Sequence, residues 1–383
     1  MKTIKMLSLF SGIGAFEKAL TNIGINQELV GFSEIDKYAI KSYCAIHNVD
    51  SELNLGDITK IEVNKLPRFI DLITHGSPCQ DFSIAGKQAG AEKGSGTRSS
   101  LMWNTIDIVE WCLPKYVVWE NVKNILSKKH KHNFDSYIEI MDKLGCNSYY
   151  HVLNAKDYGI PQNRERVYTI SVRKDMDNNN FQFPKKQELK LRLKDMLEDE
   201  VEGKYYLSDE IVSHFIYETN STNIIGNLKM NKWQDSMKRI YDIDTYSPAI
   251  NTMQGGNLEP KILIKNNTKQ GYLPAGKGDS VNLAYPNSTT RRGRVGYQVS
   301  QTLTANDNMG VLESESRIRK LTPKECWRLM GFSDDDFKKA EQIPTSNTQL
   351  YKQAGNSIVV KVLEKIFLNL FKEELEKWDT LNL

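Results

Sequence analysis

The chain of 383 residues has no run of eighteen apolar residues, so a transmembrane helix is not expected. Met1–Leu7 is too short before the first glycine turn to serve as a signal peptide, which points to a cytoplasmic protein. Cysteine is scarce: Cys44, Cys79, Cys112, Cys146 and Cys326 are five, odd in number and never spaced Cys-x-x-Cys. Zinc ribbons and disulfide frameworks are therefore disfavoured, and a reducing compartment leaves each thiol free. Charge of one sign is not in excess either, with a net charge of only +3. The glycine turn Phe10-Ser11-Gly12-Ile13-Gly14 lacks the third glycine of a dinucleotide fingerprint, and Glu17 stands in its place. That turn fits a ligand without a pyrophosphate better than it fits NAD.

What is present is an ordinary globular composition, 39% hydrophobic and 26% charged, long enough for two domains. Residues 1–172 alternate short β-branched runs with amphipathic helices. Strands are expected at Ile4–Phe10, Glu28–Phe32, Phe69–Thr74, Tyr116–Trp119 and Val167–Val172, with helices at Phe16–Ile23 and Tyr38–His47. This alternation argues for an α/β fold with a mostly parallel sheet covered on both faces. After Pro184 a charged, helical-looking stretch (185–202) leads into 220–312, rich in Asn, Gly, Thr and Tyr, which reads as loop-rich and partly β. That segment holds eleven Lys/Arg against six Asp/Glu, with Arg291-Arg292-Gly293-Arg294 as its densest cluster. A mild basic excess suits a polyanion, although solvated loops often look alike. Ser247–Thr252 and Ser300–Ala305 resemble each other as short Ser/Thr elements. The stripe Val359, Val362, Leu363, Ile366, Phe367 and Leu370 predicts a core-facing terminal helix, with Gly355-Asn356-Ser357 supplying the turn and N-cap before it.

Several short polar motifs fall at strand ends, where open α/β sheets collect ligands. Gly76-Ser77-Pro78-Cys79-Gln80 puts a thiol on a rigid turn. Glu34 and Asp57 follow apolar runs, where carboxylates could hold ribose hydroxyls or an adenine amine, although helix initiation or a simple turn explains each as well. Glu120, in Trp119-Glu120-Asn121-Val122, follows a buried-looking run, where desolvation would raise its pKa and let it carry a proton. Gln162-Asn163-Arg164-Glu165-Arg166 offers anchoring donors for a carboxylate, phosphate or base oxygen.

Taken in order, Phe10-x-Gly12-x-Gly14, Pro78-Cys79-Gln80, Glu120-Asn121-Val122, Gln162-x-Arg164-x-Arg166 and Gly355-Asn356-Ser357 closely resemble the C5-cytosine DNA methyltransferases. Arg317–Phe332 is similar to that family's ninth motif, just after its variable region. The resemblance implies a Rossmann-like S-adenosylmethionine-dependent methyltransferase sheet with a smaller, loop-rich, partly β target-recognition domain. Its expected boundaries are 1–185 for the catalytic domain, 186–346 for target recognition and 347–383 for a segment returning to the first.

The same resemblance assigns S-adenosylmethionine to Phe10, Gly12, Ile13, Gly14, Glu34, Ile35, Asp57, Ile58, Pro78, Leu101, Asn356 and Ser357, and implies no metal. Cys79 would be the nucleophile adding to C6 of cytosine, Glu120 would engage N3, and Arg166 with Arg164 would hold O2. The target base would be flipped from double-stranded DNA, with Gln80–Ser99 as a mobile lid. Expected DNA contacts are Lys87, Arg98, Lys229, Lys232, Arg239, Gln254, Arg291, Arg292, Arg294 and Thr302. A cognate restriction endonuclease is the implied protein partner, and a monomer suits asymmetric base flipping. A nicotinamide-dependent oxidoreductase would account for the glycine turn and Glu34 but not for Cys79 and Glu120. A tRNA cytosine methyltransferase of the same fold is the other alternative. A catalytically silent DNA-binding relative is disfavoured, because no motif residue is degraded.

Overall fold

β-Branched and apolar runs form the central sheet. In the computed structural model, which describes residues 3–78, 97–214, 224–227, 239–241, 262–306, 308–314, 317–372 and 375, contacts divide the chain into two units. The first comprises 1–160, 164–189 and 330–383, and the second 161–163 and 190–329.

The first unit is built on six strands: β1 (Ile4–Leu9), β2 (Gln27–Ser33), β3 (Leu72–His75), β4 (Tyr116–Val122), β5 (Cys146–Asn154) and, beyond the short β6 (Gln162–Asn163) of the second unit, β7 (Glu165–Arg173). Their order is β2-β1-β3-β4-β7-β5. The first four run parallel, while β7 lies antiparallel to both β4 and β5. Helices α1 (Ala15–Asn22), α2 (Lys37–His47), α3 (Met102–Cys112) and α4 (Lys131–Lys143) connect them. Trp103, Ile106, Val109, Phe134, Tyr137 and Met141 from α3 and α4 share one core with Leu7, Leu9, Ile73, Val117 and Trp119. Fully burying each such side chain contributes roughly 1.5–3 kcal/mol.

Register explains why the strand-end motifs matter. Ser33 pairs with Leu9, Leu9 with His75, and His75 with Trp119, forming one row across four parallel strands. The residues one step beyond that row are Glu34, Phe10, Gly76 and Glu120. Four motifs separated by up to 110 positions in sequence thus stand at one level of one edge.

Several expectations change. The terminal apolar stripe is helical, but Gly355 and Asn356 close a preceding helix rather than opening the last one. In chain order the helices after α4 are α5 (Asp209–Ser213), α6 (Pro323–Arg328), α7 (Asp334–Glu341), α8 (Asn347–Asn356) and α9 (Val360–Leu370). The residue capping α9 is Val359, without a side-chain bond, whereas Ser357 Oγ donates to the Ile358 carbonyl. Helix α9 packs on α1, with Phe16 and Phe367 rings 6.5 Å apart. Residues 330–346 group with the first unit rather than with the 186–346 segment drawn from sequence. There α7 packs on α2, and its Asp336 pairs with Lys18 at 2.8 Å. The charged stretch 185–202 is not an α-helix; only Leu193–Met196 makes a 3-10 turn, pinned by a Leu193 amide bond to the Gln298 carbonyl at 2.8 Å.

The second unit is indeed strand-rich. A four-stranded antiparallel sheet runs β13 (Val295–Gly296), β12 (Ser280–Asn282), β15 (Met309–Ser314) and β16 (Arg317–Lys320). Hairpins β8–β9 (Ile224–Asn227, Arg239–Tyr241) and β10–β11 (Ile262–Lys265, Tyr272–Ala275) accompany it, and β14 (Ser300–Gln301) pairs with β6. Val212, Ile264, Ala275, Val281, Val295, Leu312 and Ile318 form its core. The ninth-motif segment is ordered by charge: buried Arg319 makes two 2.8 Å bonds to buried Glu325, whose carboxylate also closes a capping box with Thr322. Ser247–Thr252 lies outside the described residues.

Candidate active site

Glu34 joins the first two motifs. Its Oε2 accepts the Gly12 amide at 2.9 Å, and its Oε1 accepts the amides of Ile35 and Asp36, both at 2.8 Å. Three of the carboxylate's four lone-pair sites are thus filled by backbone amides, and Oε2 keeps one for a further donor. Phe10 and Gly12 adopt left-handed φ of 54° and 56°, and the space above Gly12 is open to 4 Å. Gly14 is needed for a different reason: a Cβ there would lie 2.1 Å from His47 Nε2. That imidazole instead bonds the Ile13 carbonyl at 3.1 Å. Ile35 is 75% exposed beside Glu34, an apolar surface left for a flat ring.

Asn54, which the sequence reading missed, ties the next motif in. Its Oδ1 accepts from the amides of Glu34 and Gly56, and its Nδ2 donates to the Glu34 carbonyl, each at 3.1 Å. Ser33 Oγ adds a 2.7 Å bond to the Gly56 carbonyl. The Asp57 turn is therefore fastened to the end of β2. Asp57 holds Thr59 through its amide and hydroxyl, bonds that lower its pKa. Ile58, Phe10 and Leu101 meet in the same apolar cluster. An asparagine in a loop carries no periodic signal by which it could have been found.

The turn after β3 is held from β4. Trp119 Nε1 donates to Ser77 Oγ at 3.0 Å, and Asn121 Nδ2 donates to the Ser77 carbonyl at 3.3 Å. His75, wholly buried, stacks on Trp119 with centroids 5.5 Å apart, and its Nε2 meets the Tyr137 hydroxyl at 3.1 Å. Pro78 ends the described part of this turn, half-buried.

Glu120 is buried, and that desolvation raises its pKa, with Arg166 and Arg164 pulling in the opposite direction. Arg166 Nε lies 3.0 Å from Glu120 Oε1, at an angle that makes an ion pair rather than an aligned hydrogen bond. The pairing follows from register, since Arg166 is opposite Val122, two residues along the same face from Glu120. A Cβ built on Gly76 would stand 3.9 Å from Glu120 Oε2 and 3.4 Å from Ile358 Cδ1. The segment after Asn356-Ser357 thus reaches the same edge. Asn356 is exposed and Ser357 buried. Buried Arg164 does not approach as a free donor: its Nη2 bonds the carbonyls of Gly355 and Ser357 at 3.3 and 2.8 Å.

The second unit separates the expected DNA contacts. Arg292 is exposed and Arg291 partly so, but Arg294 is 1% exposed. Its guanidinium donates to the carbonyls of Asn282, Ala284, Tyr285 and Pro286, which corrects its placement among the DNA readers. Thr302 Oγ1 donates to the Asn163 carbonyl at 2.8 Å. Cys79, Lys87, Lys229, Lys232 and Gln254 lie outside the described residues, as does all of the lid but its last three, and of Arg98 and Arg239 only the backbone is described.

The mostly parallel sheet, with a glycine turn, Glu34 and buried Glu120 at one edge, is that of a methyltransferase. Two solved structures share the fold: Entamoeba histolytica EhMeth (TM-score 0.62, 16% identity, covering 97% of this chain and 99% of that one) and S. pombe Dnmt2 (0.57, 18%, 98% and 99%). The family model for C-5 cytosine-specific DNA methylase matches residues 4–372, and the chain belongs to that family, as a DNA (cytosine-5-)-methyltransferase. Curated relatives include orphan methyltransferase M.SPBetaI of Bacillus phage SPbeta, 36% identical over 98% of this chain and 99% of that protein. Type II methyltransferase M2.ScrFI of Lactococcus lactis subsp. cremoris is 34% identical over 97% and 100%. M.HhaI of Haemophilus parahaemolyticus is 32% identical over 96% and 94%. No helix among the described residues is long and apolar enough to cross a membrane.

Proposed function

We propose that the chain methylates C5 of a cytosine flipped out of a specific short sequence in double-stranded DNA, with S-adenosylmethionine as donor. The observation that carries this reading is the single register level shared by Phe10, Glu34, Gly76 and Glu120, with Glu120 buried and raised in pKa. The residues suit the donor: Glu34 Oε2 keeps one accepting site for a ribose hydroxyl, exposed Ile35 offers a face to adenine, and open Gly12 allows close backbone approach. Asp57, Ile58, Pro78, Leu101, Asn356 and Ser357 would complete it. When bound, the cofactor supplies an electrophilic methyl group.

The chain's own residues do the rest. Cys79, two residues along the chain from the Ser77 that Trp119 and Asn121 hold, would add as thiolate to C6 and make C5 enamine-like. Glu120 delivers its proton toward N3 as charge builds on the ring, while Arg166 steadies that carboxylate and holds O2. Once C5 is methylated, solvent takes the C5 proton as the C6–S bond breaks, N3 returns its proton to Glu120, and 5-methylcytosine is released with the Cys79 thiolate regenerated. The second unit would read the DNA sequence, and the lid 80–99 would close over the base. A restriction endonuclease cutting the same site is the proposed partner, and the working state is a monomer. Bisulfite sequencing of DNA from cells expressing the chain tests the proposal. Unconverted cytosines in one recurring context are expected, and complete conversion everywhere would overturn it.

A further inference from the structure

The second unit displays an aromatic ring on a strained, internally braced loop beside unanswered positive charge. Tyr285 is 74% exposed and its backbone is left-handed, with φ 51°. A bulky side chain occupies that region only at a cost, and such strain gathers at functional sites. Four carbonyls between Asn282 and Pro286 turn inward onto Arg294, at 2.7 to 3.4 Å, and the Ser288 amide bonds the Tyr285 carbonyl at 3.0 Å. The loop is thus held from beneath while the ring stands outward.

One guanidinium adjoins that ring. The Arg291 guanidinium carbon lies 5.8 Å from the Tyr285 centroid, within cation–π range. Arg291 is placed by its own carbonyl, which accepts the Asn267 amide at 2.9 Å, and by its amide, which donates to Ser288 Oγ at 3.2 Å. No carboxylate among the described residues pairs with Arg291 or Arg292; Arg292 Nε donates to the Asn267 carbonyl at 3.0 Å, and Arg291 Nε is buried without a hydrogen-bond partner among them. From 280 to 306 the sequence contains three arginines and no aspartate or glutamate. An aromatic face with an adjoining guanidinium that no described carboxylate pairs is complementary to a base edge or plane next to a phosphate.

We propose that Tyr285 is a DNA-contact residue of the second unit: its ring stacks against the nucleic acid, Arg291 meets an adjacent phosphate, and Arg294 acts only by holding the loop. This rests on the reading that the chain acts on duplex DNA. The test uses the full-length chain and two short fluorescein-labelled duplexes, one of random sequence and one carrying the context found by bisulfite sequencing. Tyr285→Ala should weaken binding roughly tenfold, as loss of one stacked aromatic does, while Tyr285→Phe stays close to wild type. Tyr285→Gly should bind as weakly as the Ala variant yet melt no lower than wild type, because glycine accepts the left-handed backbone. Arg291→Ala should reduce the salt slope of binding by about one phosphate contact. Wild-type affinity in the Ala and Gly variants would overturn the inference, as would a Phe variant as weak as Ala. A wild-type chain that methylates no DNA would instead defeat the proposed function itself.

Discussion

The guanidinium of Arg164 donates to the carbonyls of Gly355 and Ser357, linking residues 191 and 193 positions apart. Arg164 and Arg166 look equivalent in sequence, two residues apart on one strand approach. Folding divides them: one meets the Glu120 carboxylate, the other fixes the backbone on either side of Asn356.

Arg164→Met should therefore leave two inward carbonyls without their donor. A buried unsatisfied group costs roughly 1–3 kcal/mol, so urea denaturation should show a loss of that order. Calorimetry should also show weaker S-adenosylmethionine binding by the folded variant. Cofactor affinity equal to wild type would remove Arg164 from any role in shaping that pocket.

Cys79→Ser should abolish methyl transfer and leave S-adenosylmethionine binding nearly intact. Methylation by the serine variant at wild-type rate would sink the nucleophile assignment.

Glu120→Gln should slow single-turnover methylation by roughly 10²–10⁴-fold with much less effect on DNA binding. Burial raises the Glu120 pKa, so the wild-type carboxyl keeps its proton above the ordinary range, and the rate should fall as pH climbs through the folded value. The unfolded chain loses that proton first. Wild-type stability should accordingly decline across the same window, and the Gln variant should not show that decline.

His75 gives the opposite slope. Complete burial pushes its pKa down to about 3, so it stays neutral in the fold while the unfolded chain takes a proton below about 6.5. Its contribution is fully present above the unfolded value and is lost as pH drops toward the folded one. The denaturation midpoint of His75→Gln should be less pH-dependent between those limits. Parallel curves for the two proteins would contradict this.

Arg292→Ala should make DNA binding less salt-dependent, in the manner of a lost phosphate contact. Arg294→Met should instead lower the melting temperature, since four carbonyls lose their donor. Equal changes in salt slope for both would mean that burial does not separate these arginines.

These residues also mark how far sequence reaches. The parallel strands were readable because each is a short apolar run ended by a turn, and the site motifs because each follows such a run. Arg291, Arg292 and Arg294 share one composition, and only the fold buries one of them. Strand β5 was passed over because several of its residues are half-buried or exposed, leaving little apolar periodicity. Stretch 185–202 misled for the reverse reason: Leu193 and Met196 look helical, yet Leu193 is fixed by a tertiary bond to the Gln298 carbonyl. Asn54 and Ser77 act through backbone groups whose positions depend on pairing that no local pattern announces.

The short strand β6 has a practical meaning for anyone transplanting the second unit between chains. Gln162 and Asn163 pair with Ser300 and Gln301, Gln162 Nε2 bonds the Leu329 carbonyl at 2.8 Å, and Leu303 donates back to Gln162 Oε1. A graft cut at 190 and 329 would leave its own closing clasp behind in the donor chain. The heritable module is discontinuous, and a chimaera must carry Pro161–Asn163 from the same donor as the residues they fasten.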